Sequence, residues 1–189
     1  CNYLFDNVDK VKMNTTSDTQ LDKLDQCCGE AYLARAIAYS ELIKMFCKAY
    51  DSDEQAEQEL GVVLTEHYKG NESQKRASLK ASYDFVLSDL DKAQELLKLD
   101  EDFSGSLYNE IYFNEYVCYA LRARVSLYMH RYDDAIKYAT KVIKSKYYTL
   151  EKASSNTYSN SVNDYAYIWQ YGDSRECIWK VGFTVNSYG

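Results

Sequence analysis

Two stretches constrain this chain more than anything else in it: "LARAIAYSELIKMF" at residues 33–46 and "ALRARVSLYMHRYDDAIKYATKVI" at 120–143. Each places Arg beside Ala inside an apolar pattern of helical period, Arg35-Ala36 in the first and Arg122-Ala123 in the second. Small residues at such spacing let a neighbouring helix approach closely. In the second stretch only His130 and Arg131 separate two helical patterns, about 108–130 and about 132–146. A connection that short folds two helices into an antiparallel hairpin. Asp133 and Asp134 open the later helix at its positive end, and Lys141, Lys144 and Lys146 close it at its negative end.

The same reading extends along the chain. "NYLFDNVDKVKM" predicts a short amphipathic helix over 2–13, with Leu4, Phe5, Val8 and Val11 at helical spacing. A long helix is predicted over about 19–49, its stripe including Leu21, Leu24, Tyr32, Tyr39, Leu42, Ile43 and Phe46. Leu79, Tyr83, Val86, Leu87, Leu90, Ala93 and Leu97 mark another over about 79–98, with Ser78 as its N-cap. Between them, residues 50–78 read as an insertion: an acidic loop "DSDEQAEQELG", one short strand at "VVLTE" and a polar loop "HYKGNESQKRAS". "DEDFSGS" reads as a turn. After 147, a Ser/Asn-rich loop leads to "CIWKVGF" at 177–183, whose alternation predicts a strand.

The result is a mainly α fold of two helix pairs, 30–49 with 79–98 and 111–130 with 132–146. They form a scaffold over 1–146, followed by a loop-and-strand segment over 147–189. The pairs resemble tetratricopeptide hairpins, with His130 standing where that repeat usually has glycine. Arg35, Arg122 and Arg124 are expected to anchor helices by pairing with carboxylates or carbonyl oxygens.

Composition narrows the function. A net charge of −7 argues against a phosphate-binding nucleic-acid surface. No apolar run reaches the ~18 residues of a membrane span. The six cysteines form no Cys-x-x-Cys pair and lie near neither histidine in sequence, so they read as structural thiols rather than metal ligands. There is no Gly-rich phosphate loop, His-Glu-x-x-His helix or Gly-x-Ser-x-Gly turn. No catalytic, metal-ligating or cofactor-binding residue is therefore assigned, and the chain does not read as an enzyme. Its 20 tyrosines suit packed helices with wet edges, and also suit carbohydrate binding.

The order "GEAYLARAIAYSELIKMF", "LGVVLTE", "RASLKASYDFVLSDLDKAQELL", "ALRARVSLYMHRYDDAIKYATKVI", "YYTL", "SRECIWKVGF" resembles the SusD/RagB family of Bacteroidetes surface glycan-binding lipoproteins, over roughly residues 2–187. Val63 stands where that family usually has proline. The resemblance implies a tetratricopeptide-like scaffold and a lipoprotein on the outer membrane. It also implies capture of oligosaccharides, without chemistry, for import through a TonB-dependent SusC-like transporter. It implies a longer parent protein, in which Cys1 is internal, residues 147–189 begin the C-terminal region, and membrane attachment is by a lipid anchor outside this chain.

Sugar binding uses aromatic rings for the pyranose face, with amide, carboxylate and guanidinium groups for the hydroxyls. The aromatic-rich segment "NDYAYIWQYGDSR", read as a loop, offers Tyr165, Tyr167, Tyr171, Asn163 and Arg175 as candidate ligand residues. The competing assignment is that Tyr167 and Trp169 pack this segment onto the helices. A second reading of the whole chain, from the hairpins alone, is a tetratricopeptide adaptor that holds a peptide and no sugar.

Overall fold

The computed structural model describes residues 1–68, 75–97, 112–171 and 174–181. Among these, the elements run α1 (Asn2–Met13), α2 (Asp18–Phe46), α3 (Asp53–Gln58), β1 (Leu60–Val63), β2 (Arg76–Ser78), α4 (Leu79–Leu96), α5 (Glu115–Tyr128), α6 (Tyr132–Lys144) and α7 (Asp164–Tyr171). The fold is mainly α, as the periodicity predicts. The main packing is α2 on α4 and α5 on α6, with α4 joining the two pairs through α5.

The core follows from the apolar stripes. On α4, Leu79, Tyr83, Val86, Leu90 and Ala93 are all buried, and Leu97 just beyond it is buried too. They meet Leu33, Ala36 and Ile43 of α2 and Val117, Cys118, Leu121 and Val125 of α5 in one cluster. Burying a side chain of that size contributes roughly 1.5–3 kcal/mol. Two small residues of the paired helices, Ala36 on α2 and Ala93 on α4, are wholly inaccessible. Two residues of the expected α2 stripe face solvent: Leu42 is 40% and Phe46 66% exposed. The buried face of α2 turns instead through Cys28, Gly29, Leu33, Ala36, Ser40 and Ile43.

Several predicted boundaries shift, each for a local reason. α2 stops at Phe46 because Cys47 is extended. Tyr50 then turns into the core, edge-on to Tyr83 at 5.2 Å. α5 begins at Glu115 rather than 108, because the Asn114 side chain accepts from the amides of Tyr116 and Val117. Residues 98–111, with the predicted "DEDFSGS" turn, lie outside the described residues. α6 ends at Lys144, and Lys146 takes φ 65°.

Over its described residues, 50–68 and 75–78, the insertion is more ordered than its composition predicts; the middle of the predicted polar loop, 69–74, lies outside the described residues. Ser52 caps a short helix through the acidic run, accepting from Gln55 N. The strand begins two residues before "VVLTE" and pairs antiparallel with Arg76–Ser78, which read as loop. Gly61 is required there: a Cβ would overlap Ser82 Oγ and the Ser78 carbonyl. The strand can thus lie on the first turn of α4, where Val62 N donates to Ser82 Oγ at 3.0 Å.

The α5–α6 connection closes through a left-handed residue. His130 has φ 57°, and its amide donates to the Leu127 carbonyl at 3.1 Å while Arg131 N donates to the Ser126 carbonyl at 2.9 Å. These two bonds form the Schellman arrangement, in which glycine is usual at the left-handed position. The pattern that puts glycine there in tetratricopeptide hairpins thus has a direct backbone cause here.

The arginines anchor as the sequence predicts. Arg35 pairs with Asp89, Arg122 with Asp91 and Arg124 with Glu41. The predicted strand at 177–183 does not form over its described part. Residues 177–181 are irregular, and residues 182 and 183 lie outside the described residues. Alternation promised one inward face, yet the adjacent Ile178 and Trp179 both pack on the core.

Candidate functional site

The segment carrying the candidate residues is built around a buried carboxylate. Asp164 opens α7, and its side chain accepts from the amide and the hydroxyl of Thr157, the latter at 2.7 Å. Its own amide donates to the Ser155 carbonyl at 2.8 Å. Burial works to raise the Asp164 pKa, but the bonds from Thr157 outweigh it and hold the carboxyl below its ordinary 3.8. Asn163 accepts from Ala166 N at 2.8 Å through its side chain, which starts the helix. The segment read as a loop is therefore a helix from Asp164 to Tyr171.

Helical spacing sorts the aromatic rings into two rows. Tyr167 stacks on Tyr158 at 5.0 Å and leans on Tyr171 at 4.5 Å, which pins α7 to the preceding loop. Aromatic pairs of this kind contribute roughly 0.5–1.5 kcal/mol beyond burial. Tyr165 and Trp169 form the other row, edge to face at 6.4 Å. Trp169 is 77% exposed, so of the two residues assigned to packing only Tyr167 packs.

Three of the five candidates, Tyr165, Tyr167 and Tyr171, thus share one short helix. The other two have structural duties. Asn163 caps the helix. The main chain of Arg175 is tied to residues 149–151, its amide donating to Glu151 Oε1 at 2.9 Å and its carbonyl accepting from Thr149 N at 3.0 Å. The large exposed ring that sequence reasoning set aside is Trp169. The period of four from Tyr165 was the available clue.

A concavity of about 460 Å³ lies where residues 176–179 cross α2 and α5, lined by Ile37, Ala120, Leu121, Arg124, Glu176 and Trp179 among others. One wall is Trp179, tilted against Phe113 at 5.0 Å. At its edge Arg124 Nη2 pairs with Glu41 at 3.0 Å. Among the described residues no group of three His, Cys, Asp or Glu side chains is arranged to hold a metal ion.

Comparison with known proteins places this architecture. A SusD-like family model, described as starch-binding and associating with the outer membrane, matches residues 2–127. The chain belongs to the SusD-like family.

Solved structures agree in fold. A Bacteroides vulgatus protein, provisionally described as sugar-binding, is 23% identical with a TM-score of 0.75, over 99% of this chain and 39% of that one. A SusD-like protein from Bacteroides fragilis is 26% identical with a TM-score of 0.57, over 82% of this chain and 26% of that one. A surface glycan-binding protein A from Bacteroides fluxus is 19% identical with a TM-score of 0.56, over 87% and 30%. The chain therefore spans between about a quarter and two fifths of the length of these relatives. No curated protein matches it.

Proposed function

We propose that this chain serves glycan capture, without chemistry, at the surface of the outer membrane, and that the captured oligosaccharides pass to a TonB-dependent transporter of the SusC type. The observation that carries this reading is the family match over residues 2–127, whose description names both starch binding and the outer membrane. The geometry supports a contact surface on α7. Trp169, Tyr165 and Tyr171 stand 77%, 49% and 54% exposed on one helix that the Asp164–Thr157 bonds hold in place. A helix held in this way need not be ordered further when a sugar face stacks on its exposed rings.

Calorimetric titration of the chain with maltoheptaose, beside the Trp169→Ala variant, tests the site. Binding that weakens about tenfold in the variant is expected, since losing a stacked ring worth ~1.4 kcal/mol changes affinity by that factor. Equal binding by both proteins would remove α7 from the site, and no binding of any glycan would remove the function. Co-purification of the parent protein with an outer-membrane transporter tests the import step.

A further inference from the structure

The chain is acidic overall, with a net charge of −7, yet one face of the α5–α6 hairpin gathers cations over tyrosine rings. Lys141 Nζ lies 4.2 Å from the centroid of Tyr119 and 5.4 Å from that of Tyr138. Lys137 Nζ lies 5.1 Å from the Tyr138 centroid, and the Arg122 guanidinium 4.7 Å. The rings continue from Tyr119 to Tyr116 at 6.0 Å and on to Tyr147 at 5.4 Å.

Asp91 is engaged by Arg122, and Glu115 accepts from the Tyr119 hydroxyl at 3.1 Å. Asp133 and Asp134 stand one turn before Lys137 on the same face of α6, yet neither forms an ion pair with Lys137 or Lys141. Lys137 and Lys141 are exposed, and neither is paired with a carboxylate among the described residues. A ring quadrupole holds an ammonium group in place without neutralising it. The two lysines are one turn apart on α6, so they present adjacent, pre-positioned and unspent positive charges. Beside them are ring edges and phenol groups, which suit a sugar better than they suit an acyl chain.

We propose that this face binds a carboxylated oligosaccharide of the uronate type, its carboxylates meeting Lys137 and Lys141 and its rings lying along the Tyr119–Tyr116–Tyr147 run. This inference rests on the glycan-capture reading and adds the chemical class of the sugar. A neutral α-glucan offers the two ammonium groups no counter-charge, and a simple polyanion makes no use of the rings.

The test is titration of the chain with trigalacturonate, maltotriose and poly-L-glutamate, each at low and moderate salt. The expected result is trigalacturonate binding at least tenfold tighter than either of the others and weakening as salt rises. The double variant Lys137→Gln/Lys141→Gln should lose about tenfold in affinity for trigalacturonate, while Lys23→Gln, on the exposed side of α2, should not change it. Circular dichroism of the double variant checks that the fold is kept. Trigalacturonate binding no tighter than maltotriose overturns the proposal and leaves glycan capture standing. Poly-L-glutamate binding as tightly as trigalacturonate also overturns it, because charge alone would then suffice. If neither sugar binds, the glycan-capture reading falls as well.

Discussion

Arg35 and Asp89 meet inside the protein as a two-pronged ion pair, Nε and Nη2 each donating to one carboxylate oxygen at 2.7 Å. The remaining prong, Nη1, donates to Asn2 Oδ1 at 2.7 Å. Phe5 and Phe85 lie over the guanidinium, with centroids at 4.6 and 4.8 Å. Arg35 and Asp89 are 7% and 1% exposed. One bond network thereby ties α2, α4 and α1 together.

Breaking that pair from one side should be worse than removing it. Asp89→Ala leaves a buried guanidinium without its counter-ion and should destabilise the fold by about 3–5 kcal/mol. The double variant Arg35→Met/Asp89→Leu removes both charges and keeps the volume, so it should recover most of that loss. Urea unfolding of the three proteins checks this. A double variant no more stable than Asp89→Ala would show that the pair contributes more than mutual neutralisation.

The two residues also show how far the sequence could be read. Arg35 in an apolar helical pattern announced a buried pairing, and the stripe from Leu79 to Leu97 announced the helix that supplies the partner. Nothing local named Asp89, 54 residues away, because ridge packing and not spacing selects which of several carboxylates on α4 faces Arg35.

The site was less legible than the core. Alternation in "CIWKVGF" describes how side chains would sort if a ladder formed, but the ladder needs a neighbouring strand, and the described part has none. The α7 helix was hidden for the opposite reason. Its stability comes from Asp164 bonding back to Thr157 and Tyr167 stacking on Tyr158. Those contacts close a loop and leave no long periodic stripe to detect.

His130 offers a substitution whose direction is fixed by its backbone. Its φ of 57° lies in the left-handed region, where a residue with a Cβ is disfavoured by roughly 1–2 kcal/mol. Its ring stacks only loosely on Tyr132, at 5.9 Å. His130→Gly should therefore stabilise the hairpin by about 0.5–1 kcal/mol after the greater freedom of glycine in the unfolded chain is counted. His130→Val, β-branched and unsuited to that φ, should destabilise it. Thermal unfolding in which His130→Gly melts lower than the parent would mean that the ring contact outweighs the backbone strain.

Acid should loosen α1 before it touches the core. Asp6 Oδ1 lies 2.7 Å from His67 Nδ1, and Tyr68 N donates to Oδ2 at 2.7 Å. The His67 hydrogen bond first, and then the Tyr68 amide, hold the Asp6 carboxyl below its ordinary 3.8. A carboxyl whose folded pKa is depressed contributes stability that is complete above the unfolded value and is lost as pH falls through the folded one. No residue of α1 is fully buried, and besides the Asp6 contacts it is held by the Asn2 bonds, by Phe5 against Tyr32 and Arg35, and by the Lys12–Asp25 ion pair at 2.8 Å. The Asp6 side-chain carboxyl carbon resonance should titrate with a midpoint below 3.8, and α1 amides should lose protection, relative to their intrinsic exchange rates, as pH falls through it. Asp6→Asn should abolish that titration and leave the exchange of α4 amides unchanged. A midpoint at or above 3.8 would show that the His67 and Tyr68 contacts do not stabilise the ionised carboxyl.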